Sequence, residues 1–298
     1  MPFYSDPVWF IADASSGLAA ALAEAVLDAG QRAVLAAPAP EHLGALAARY
    51  PGRVELLALD VTDGASIDAA LQAAERRFGR IDVLAASAFQ RYLGAVEEGE
   101  EAALRGLFEE NVFGPVALAR RVLPAMRARR AGHVLLLARS APPAPAGEGF
   151  CHAARAALEA LAEAMFHEVE RFGIGVTLVD PGASEDGAWA PQPARAAAIA
   201  DYADLAGRQA GAASGAQVDT ARAAQAILRA VAAGRGPLRL VLGRAALQRA
   251  YDRLRVMKVG FDAWAELAAS ADPEPAPAAP RRPARRATSA GTGGRTAG

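Results

Sequence analysis

Seven short apolar runs recur along the chain, separated by stretches of helical composition. The runs are Val8–Ile11, Ala33–Leu35, Val54–Leu59, Val83–Ala86, Val134–Leu137, Val176–Val179 and Leu238–Leu242. Runs this short, apolar except for Glu55, Thr177 and Arg239, suit strands covered on both faces, as in a parallel sheet. The segments between them predict helices over Leu18–Ala29, Pro40–Tyr50, Thr62-Asp63 to Phe78, Glu98–Arg129, Phe150–Phe172, Asp219–Ala232, and beyond Leu242 to about Ala269. Asp63 stands where an N-cap belongs, and Gly30 and Gly79 follow predicted helix ends. Gly114-Pro115 predicts a bend in the long fourth helix. Strands alternating with helices mean βαβ units with right-handed crossovers. The expectation is a single-domain α/β fold: a doubly wound parallel sheet of about seven strands with helices on both faces.

The composition changes at residue 271. The last 28 residues are rich in Pro, Arg and Gly, contain no aromatic residue and carry five arginines against two acids. Nothing there repays the entropy of ordering, so residues 271–298 are expected to be a disordered basic tail after a body spanning residues 1–270. The body carries a net charge of −4 and the whole chain −1, which argues neither for nor against nucleic acid. Cys151 is the only cysteine, so no internal disulfide and no cysteine-rich metal site is expected. No apolar run reaches the roughly 20 residues of a membrane span, and no basic residue precedes Arg32 to start a secretory leader. The expectation is a soluble cytoplasmic protein with no membrane and no nucleic acid among its partners.

Several phrases occur in order along the body: Ala14-Ser15-Ser16-Gly17 after strand one, Leu59-Asp60-Val61-Thr62 after strand three, and Arg77-Phe78-Gly79-Arg80-Ile81-Asp82. Further on come Asn111-Val112-Phe113-Gly114, Gly132-His133-Val134 and Asp180-Pro181-Gly182. Together they resemble the short-chain dehydrogenase/reductase superfamily over about residues 7–268. The resemblance implies a Rossmann-like domain and hydride transfer between NAD(P) and a carbonyl or alcohol. It also implies a Gly-rich TGxxxGxG loop, an NNAG segment after strand four, and an Asn, Ser, Tyr, Lys set with the last two in YxxxK.

The chain departs from that pattern at most of these points. Ser15, Ser16, Gly17, Leu18, Asp60 and Val61 fall on the dinucleotide-binding positions, but of three loop glycines only Gly17 remains. Asp13 replaces the first, placing a carboxylate beside the expected diphosphate, and Ala19 replaces the third. Ala37-Pro38-Ala39-Pro40 carries neither an acid nor an arginine to choose NAD or NADP. Asp60 reads equally as the family's adenine-contacting acid or as a turn residue ending strand three. Phe89 replaces the glycine of NNAG. Asn111 matches the family asparagine. The serine position reads Ala138-Arg139-Ser140, and YxxxK aligns with Cys151-His152-Ala153-Ala154-Arg155. Arg155 keeps a charge but does not release a proton, and the Cys151 side chain is shorter than a tyrosine. A thiol beside a cation at a helix start is also a possible nucleophile, whereas a small half-buried helix residue is the plainer reading.

The helices over 98–129 and 150–172 are intact, and the resemblance implies that they form a dimer or tetramer interface. The expected function is therefore a catalytically degenerate subunit of this superfamily that pairs with an active relative, as a homo- or hetero-oligomer. Two alternatives stay open. One is a divergent NAD(P)-dependent oxidoreductase. The other is a cofactor-free isomerase, cyclase or lyase using Asn111, Arg139, Ser140, Cys151, His152 or Arg155. Residues 183–217, with Trp189 and Tyr202, are expected to form a helical lid in which both aromatics pack rather than bind.

Overall fold

The computed structural model describes residues 6–14, 17–87, 90–138, 146–181, 199–203, 218–234 and 236–273. The strands are β1 (Val8–Ala12), β2 (Arg32–Ala37), β3 (Val54–Ala58), β4 (Val83–Ser87), β5 (Gly132–Leu137), β6 (Ile174–Asp180) and β7 (Arg239–Val241). The helices are α1 (Gly17–Asp28), α2 (Gly44–Arg49), α3 (Gly64–Phe78), α4 (Glu101–Phe108), α5 (Gly114–Arg129), α6 (Gly149–Val169), α7 (Thr220–Ala232), α8 (Arg244–Ala263) and α9 (Ala265–Ala269). The chain divides into two compact units, residues 1–255 and 256–298, at a point inside α8.

The seven strands form one all-parallel sheet in the order β3-β2-β1-β4-β5-β6-β7. This is the doubly wound, Rossmann-like arrangement. The winding direction reverses between β1 and β4, and ligands of such sheets bind outside the carboxyl ends of the strands at that reversal.

Alternation along each strand builds two cores, because successive side chains point to opposite faces. Phe10 and Ala12 join Val34, Leu84 and Val134 under α3, α5 and α6, through Ile67, Leu118 and Leu158. Trp9 and Ile11 face the other way, onto Leu22 and Val26 of α1 and Ile227 of α7. The start of β1 is held by Asp82, whose carboxylate accepts from the Val8 N–H at 2.9 Å and from Arg80 Nε at 2.8 Å. Asp63 caps α3 by accepting from the Ala65 and Ser66 N–H groups, and Gly79 ends that helix at φ +80°.

His133 lies wholly inside, on β5, with Nε2 3.0 Å from Thr177 Oγ1 on β6. Its ring needs the space that two glycines leave. A Cβ on Gly175 would stand 2.7 Å from the imidazole and one on Gly236 2.9 Å. Burial pushes the His133 pKa down to about 4, so the ring is neutral.

The long helix expected over Glu98–Arg129 is not continuous. A 3-10 turn at Val96–Glu98 precedes α4, and a π-helical turn at Glu109–Phe113 separates α4 from α5. Pro115 has no N–H to offer the Asn111 carbonyl four residues back, so the widened turn falls just before the predicted bend. The last predicted helix is likewise interrupted, at Trp264 between α8 and α9.

Candidate functional site: the crevice between β1 and β4

The crevice begins where β1 ends. Asp13 adopts the left-handed backbone at φ +53°, followed by Gly17 at φ +55°. Aspartate is one of the few side chains that tolerates this region, so the loop keeps a glycine-like turn while gaining a carboxylate. Ser15 and Ser16 lie outside the described residues. Leu18 is buried on α1 against the second core. At the end of β3, Asp60 accepts from the Thr62 N–H at 2.8 Å and its hydroxyl at 2.6 Å, bonds that hold the Asp60 carboxyl below its ordinary range. Those bonds form a turn. Val61 packs on the start of α5, where a Cβ on Gly114 would lie 2.8 Å away.

A third carboxylate joins these two. Glu110, on the π-helical turn, is held above its ordinary pKa first by burial and then by the charges of Asp60 and Asp13. Three acids thus share the carboxyl edge of the sheet beside the loop after β1. Sequence reasoning found Asp13 and Asp60 by alignment with a motif. It missed Glu110, because nothing local marks which face of the widened turn looks toward the sheet.

On the other side of the crevice, two positions of the family set grip one stretch of backbone. The Asn111 Oδ1 accepts from the Gln90 N–H and its Nδ2 donates to the Gln90 carbonyl, both at 2.7 Å. Two residues on, the Tyr92 N–H donates to Cys151 Sγ, and the thiol donates back to the Tyr92 carbonyl, both at 3.2 Å. Cys151 is only 6% exposed, and burial pushes its thiol up. Tyr92 is itself fixed, its hydroxyl donating to the Glu98 carbonyl at 3.1 Å and accepting from the Glu100 N–H at 2.6 Å. Leu107, Val112 and Ala154 close a small apolar cluster around Tyr92 and Cys151.

Arg155, one turn further along α6, forms a buried ion pair with Asp180 at the end of β6, 2.9 Å apart. A second inward pair, Arg91 with Glu148 at 2.6 Å, ties the segment after β4 to the residue before α6. The ring of His152 lies 3.1 Å from the Glu148 carbonyl, not against Cys151. Arg139, Ser140, Phe89 and Trp189 lie outside the described residues. Of the expected lid, residues 199–203 are described. The Ile199 N–H donates to Glu98 at 2.9 Å, and the Tyr202 hydroxyl donates to Glu97 at 2.9 Å.

The structure therefore brings Asn111, Cys151 and Arg155 to one side of the crevice and engages them with Gln90, Tyr92 and Asp180 respectively. A thiol that is buried and bonded through both lone pair and proton is a poor nucleophile and a poor acid. The partners Tyr92, Glu148 and Asp180 carry no sequence signal for these roles, since the bonds close across 25 to 59 positions. Among the described residues no group of three or more His, Cys, Asp or Glu is placed to hold a metal ion. No helix among them is long and apolar enough to cross a membrane.

Residues 7–196 match the model of the short chain dehydrogenase family. A curated relative from Botryotinia fuckeliana, described as "Oxidoreductase BOA17", is 30% identical over 270 residues, covering 87% of this chain and 97% of its own. The crystal structure of a short-chain dehydrogenase from Streptomyces avermitilis is 36% identical with a TM-score of 0.82, over 91% of this chain and 100% of the other. A short chain dehydrogenase/reductase from Burkholderia phymatum, solved with NAD, shares the fold at 22% identity, with a TM-score of 0.73 over 88% of this chain and 97% of its own.

Proposed function

The chain belongs to the short-chain dehydrogenase family, and from that premise we propose that it keeps the family's architecture without its usual carbonyl reduction, as a catalytically degenerate subunit that pairs with an active relative. One observation carries the reading. The positions that in the family donate the proton and hold the cofactor ribose are here Cys151, clamped to Tyr92, and Arg155, paired with Asp180.

The described residues of the crevice do not fit a dinucleotide. Its diphosphate is an anion that such folds seat on glycine backbone at a helix start. Here Asp13 occupies that turn with Asp60 and Glu110 near it, and the Glu110 carboxyl is held above its ordinary range first by burial and then by the charges of Asp60 and Asp13. Arg155 is engaged by a buried carboxylate, and its planar guanidinium is not a lysine equivalent. The same engagements weigh against Cys151 and Arg155 as the working groups of a cofactor-free enzyme.

The pairing half of the proposal rests on the helices around α5 and α6, residues 98–129 and 150–172. The outward side of α6 presents exposed Ala153, Ala156, Ala160, Leu161 and Ala164, small apolar residues that let another helix approach closely. Titration of the purified protein with NADH and NADPH, followed by calorimetry, tests the first half. No saturable binding up to millimolar is expected, and micromolar binding would overturn the reading and put a divergent oxidoreductase in its place. Co-expression with a related active dehydrogenase tests the second half. A mixed complex is expected, disrupted by Leu161→Glu, and its absence would remove the pairing.

A further inference from the structure

The connection from β6 to α7 is long, running over residues 181–219. Connections longer than about 12–15 residues are uncommon in compact domains and usually carry function. The described piece of this one, residues 199–203, stands at its middle. Ala200–Tyr202 form a single 3-10 turn, closed by the Tyr202 N–H on the Ile199 carbonyl at 2.9 Å. The turn offers two donors, the Ile199 N–H and the Tyr202 hydroxyl, to two adjacent carboxylates, Glu98 and Glu97.

We propose that Glu97 and Glu98 form a clasp that fastens the middle of this connection, as a strap, to the wall of the crevice that carries Tyr92 and Cys151. Glu98 is ordered to receive it. Its Oε2 accepts from the Ala95 N–H at 2.8 Å, and its N–H donates to the Ala95 carbonyl at 3.0 Å. Its carbonyl accepts from the Tyr92 hydroxyl at 3.1 Å. The side chain is thus held within its own turn, and Oε1 accepts from the Ile199 N–H, 101 positions away, at 2.9 Å. An acceptor already ordered gives up little further rotamer freedom on making its contact. Bonds that end on a carboxylate are also stronger than those between neutral groups.

Glu97 supplies the other half. Its Oε2 accepts from the Tyr202 hydroxyl at 2.9 Å, a bond that holds the Tyr202 phenol above its ordinary pKa range. The two contacts differ in kind. The Glu98 contact takes a backbone N–H and fixes where the strap lies, whereas the Glu97 contact takes a side chain and selects tyrosine at position 202.

The wall beneath is a packed unit. The Tyr92 hydroxyl also accepts from the Glu100 N–H at 2.6 Å, and its ring meets Phe150 edge-on at 5.7 Å. A Cβ on Gly99 would stand 2.9 Å from that same Phe150 ring. The turn at Val96–Glu98, Tyr92 and the start of α6 are therefore tied together, and the strap is fastened to the residue that clamps Cys151. Fastening draws on this chain alone, since both acceptors and both donors belong to it.

The test reads amide hydrogen exchange residue by residue, by NMR on the full chain. In the unaltered protein the Ile199 N–H is expected to exchange at least about tenfold more slowly than an unbonded amide. Two variants release the strap from its own side and leave the turn that holds Glu98 intact. Ile199→Pro removes the donor, and the φ of −73° at that position suits proline. It is expected to speed exchange of the Tyr202 N–H by about tenfold, the loss of one charge-assisted bond. Tyr202→Phe removes the hydroxyl and is expected to speed exchange of the Ile199 N–H several-fold. In both, the Glu100 N–H keeps its protection at Tyr92. Free exchange of the Ile199 N–H in the unaltered protein overturns the clasp. So does unchanged exchange of the Tyr202 N–H in Ile199→Pro, or of the Ile199 N–H in Tyr202→Phe.

Discussion

Arg155 and Asp180 meet in a buried ion pair of 2.9 Å that fastens α6 to the end of β6. Breaking such a pair from one side leaves the other charge in a medium that solvates it poorly, at a cost of about 3–5 kcal/mol. Arg155→Met is therefore expected to lower the unfolding free energy by that order in urea titrations. Adding Asp180→Leu should recover much of it, since the unpaired carboxylate is then gone. A double variant as unstable as the single one would show that the pair is not the source of the loss.

Cys151 is expected to be silent toward thiol reagents in the native protein and to react at once in denaturant, because its sulfur is buried and bonded at Tyr92. Cys151→Ala removes the partner of a buried backbone N–H and carbonyl, a loss of about 1–3 kcal/mol. Cys151→Ser keeps a donor and an acceptor and should lose less. Rapid native labelling would remove the clamp from the account.

Stability should depend on pH through His133. Its pKa is about 4 folded against 6.5 for an unperturbed ring, so between those values the unfolded chain binds more protons. The stabilisation from holding the neutral ring is complete above about pH 6.5 and lost as pH falls toward 4. The full span is worth about 3 kcal/mol. His133→Asn should flatten the stability profile over that window. A profile equally steep without the histidine would assign the slope to the carboxylates.

Gly175→Ala places a methyl group 2.7 Å from the His133 ring, inside the sheet where neither strand gives way. Overpacking of this kind costs about 1–3 kcal/mol. Chemical denaturation of the variant measures it, and His133→Ala in the same background should relieve the clash.

Asp13→Asn should lower the pKa of Glu110 while leaving it above the ordinary carboxylate range, because burial is the larger cause. Side-chain carboxyl NMR reads this directly. No movement of Glu110 would separate the two acids and weaken the argument from crowded charge.

Much of the architecture was legible along the chain. The seven apolar runs became the seven strands, Asp63 and Gly79 bounded α3, and the phrases around Asp60, Asn111 and Asp180 pointed to the family. These features are local: side-chain period, capping chemistry and backbone permission depend on neighbours within a few residues. The tertiary structure alone decided what the site residues do. Asn111 and Cys151 converge on Gln90 and Tyr92 only because α6 and the π-helical turn pack on the same segment after β4. Glu110 joins Asp13 and Asp60 only because the sheet order places the ends of β1 and β3 on one edge. Hydrogen bonds and ion pairs across tens of residues have no local signature, since their partners are chosen by how the crossovers stack the elements and not by the residues beside them.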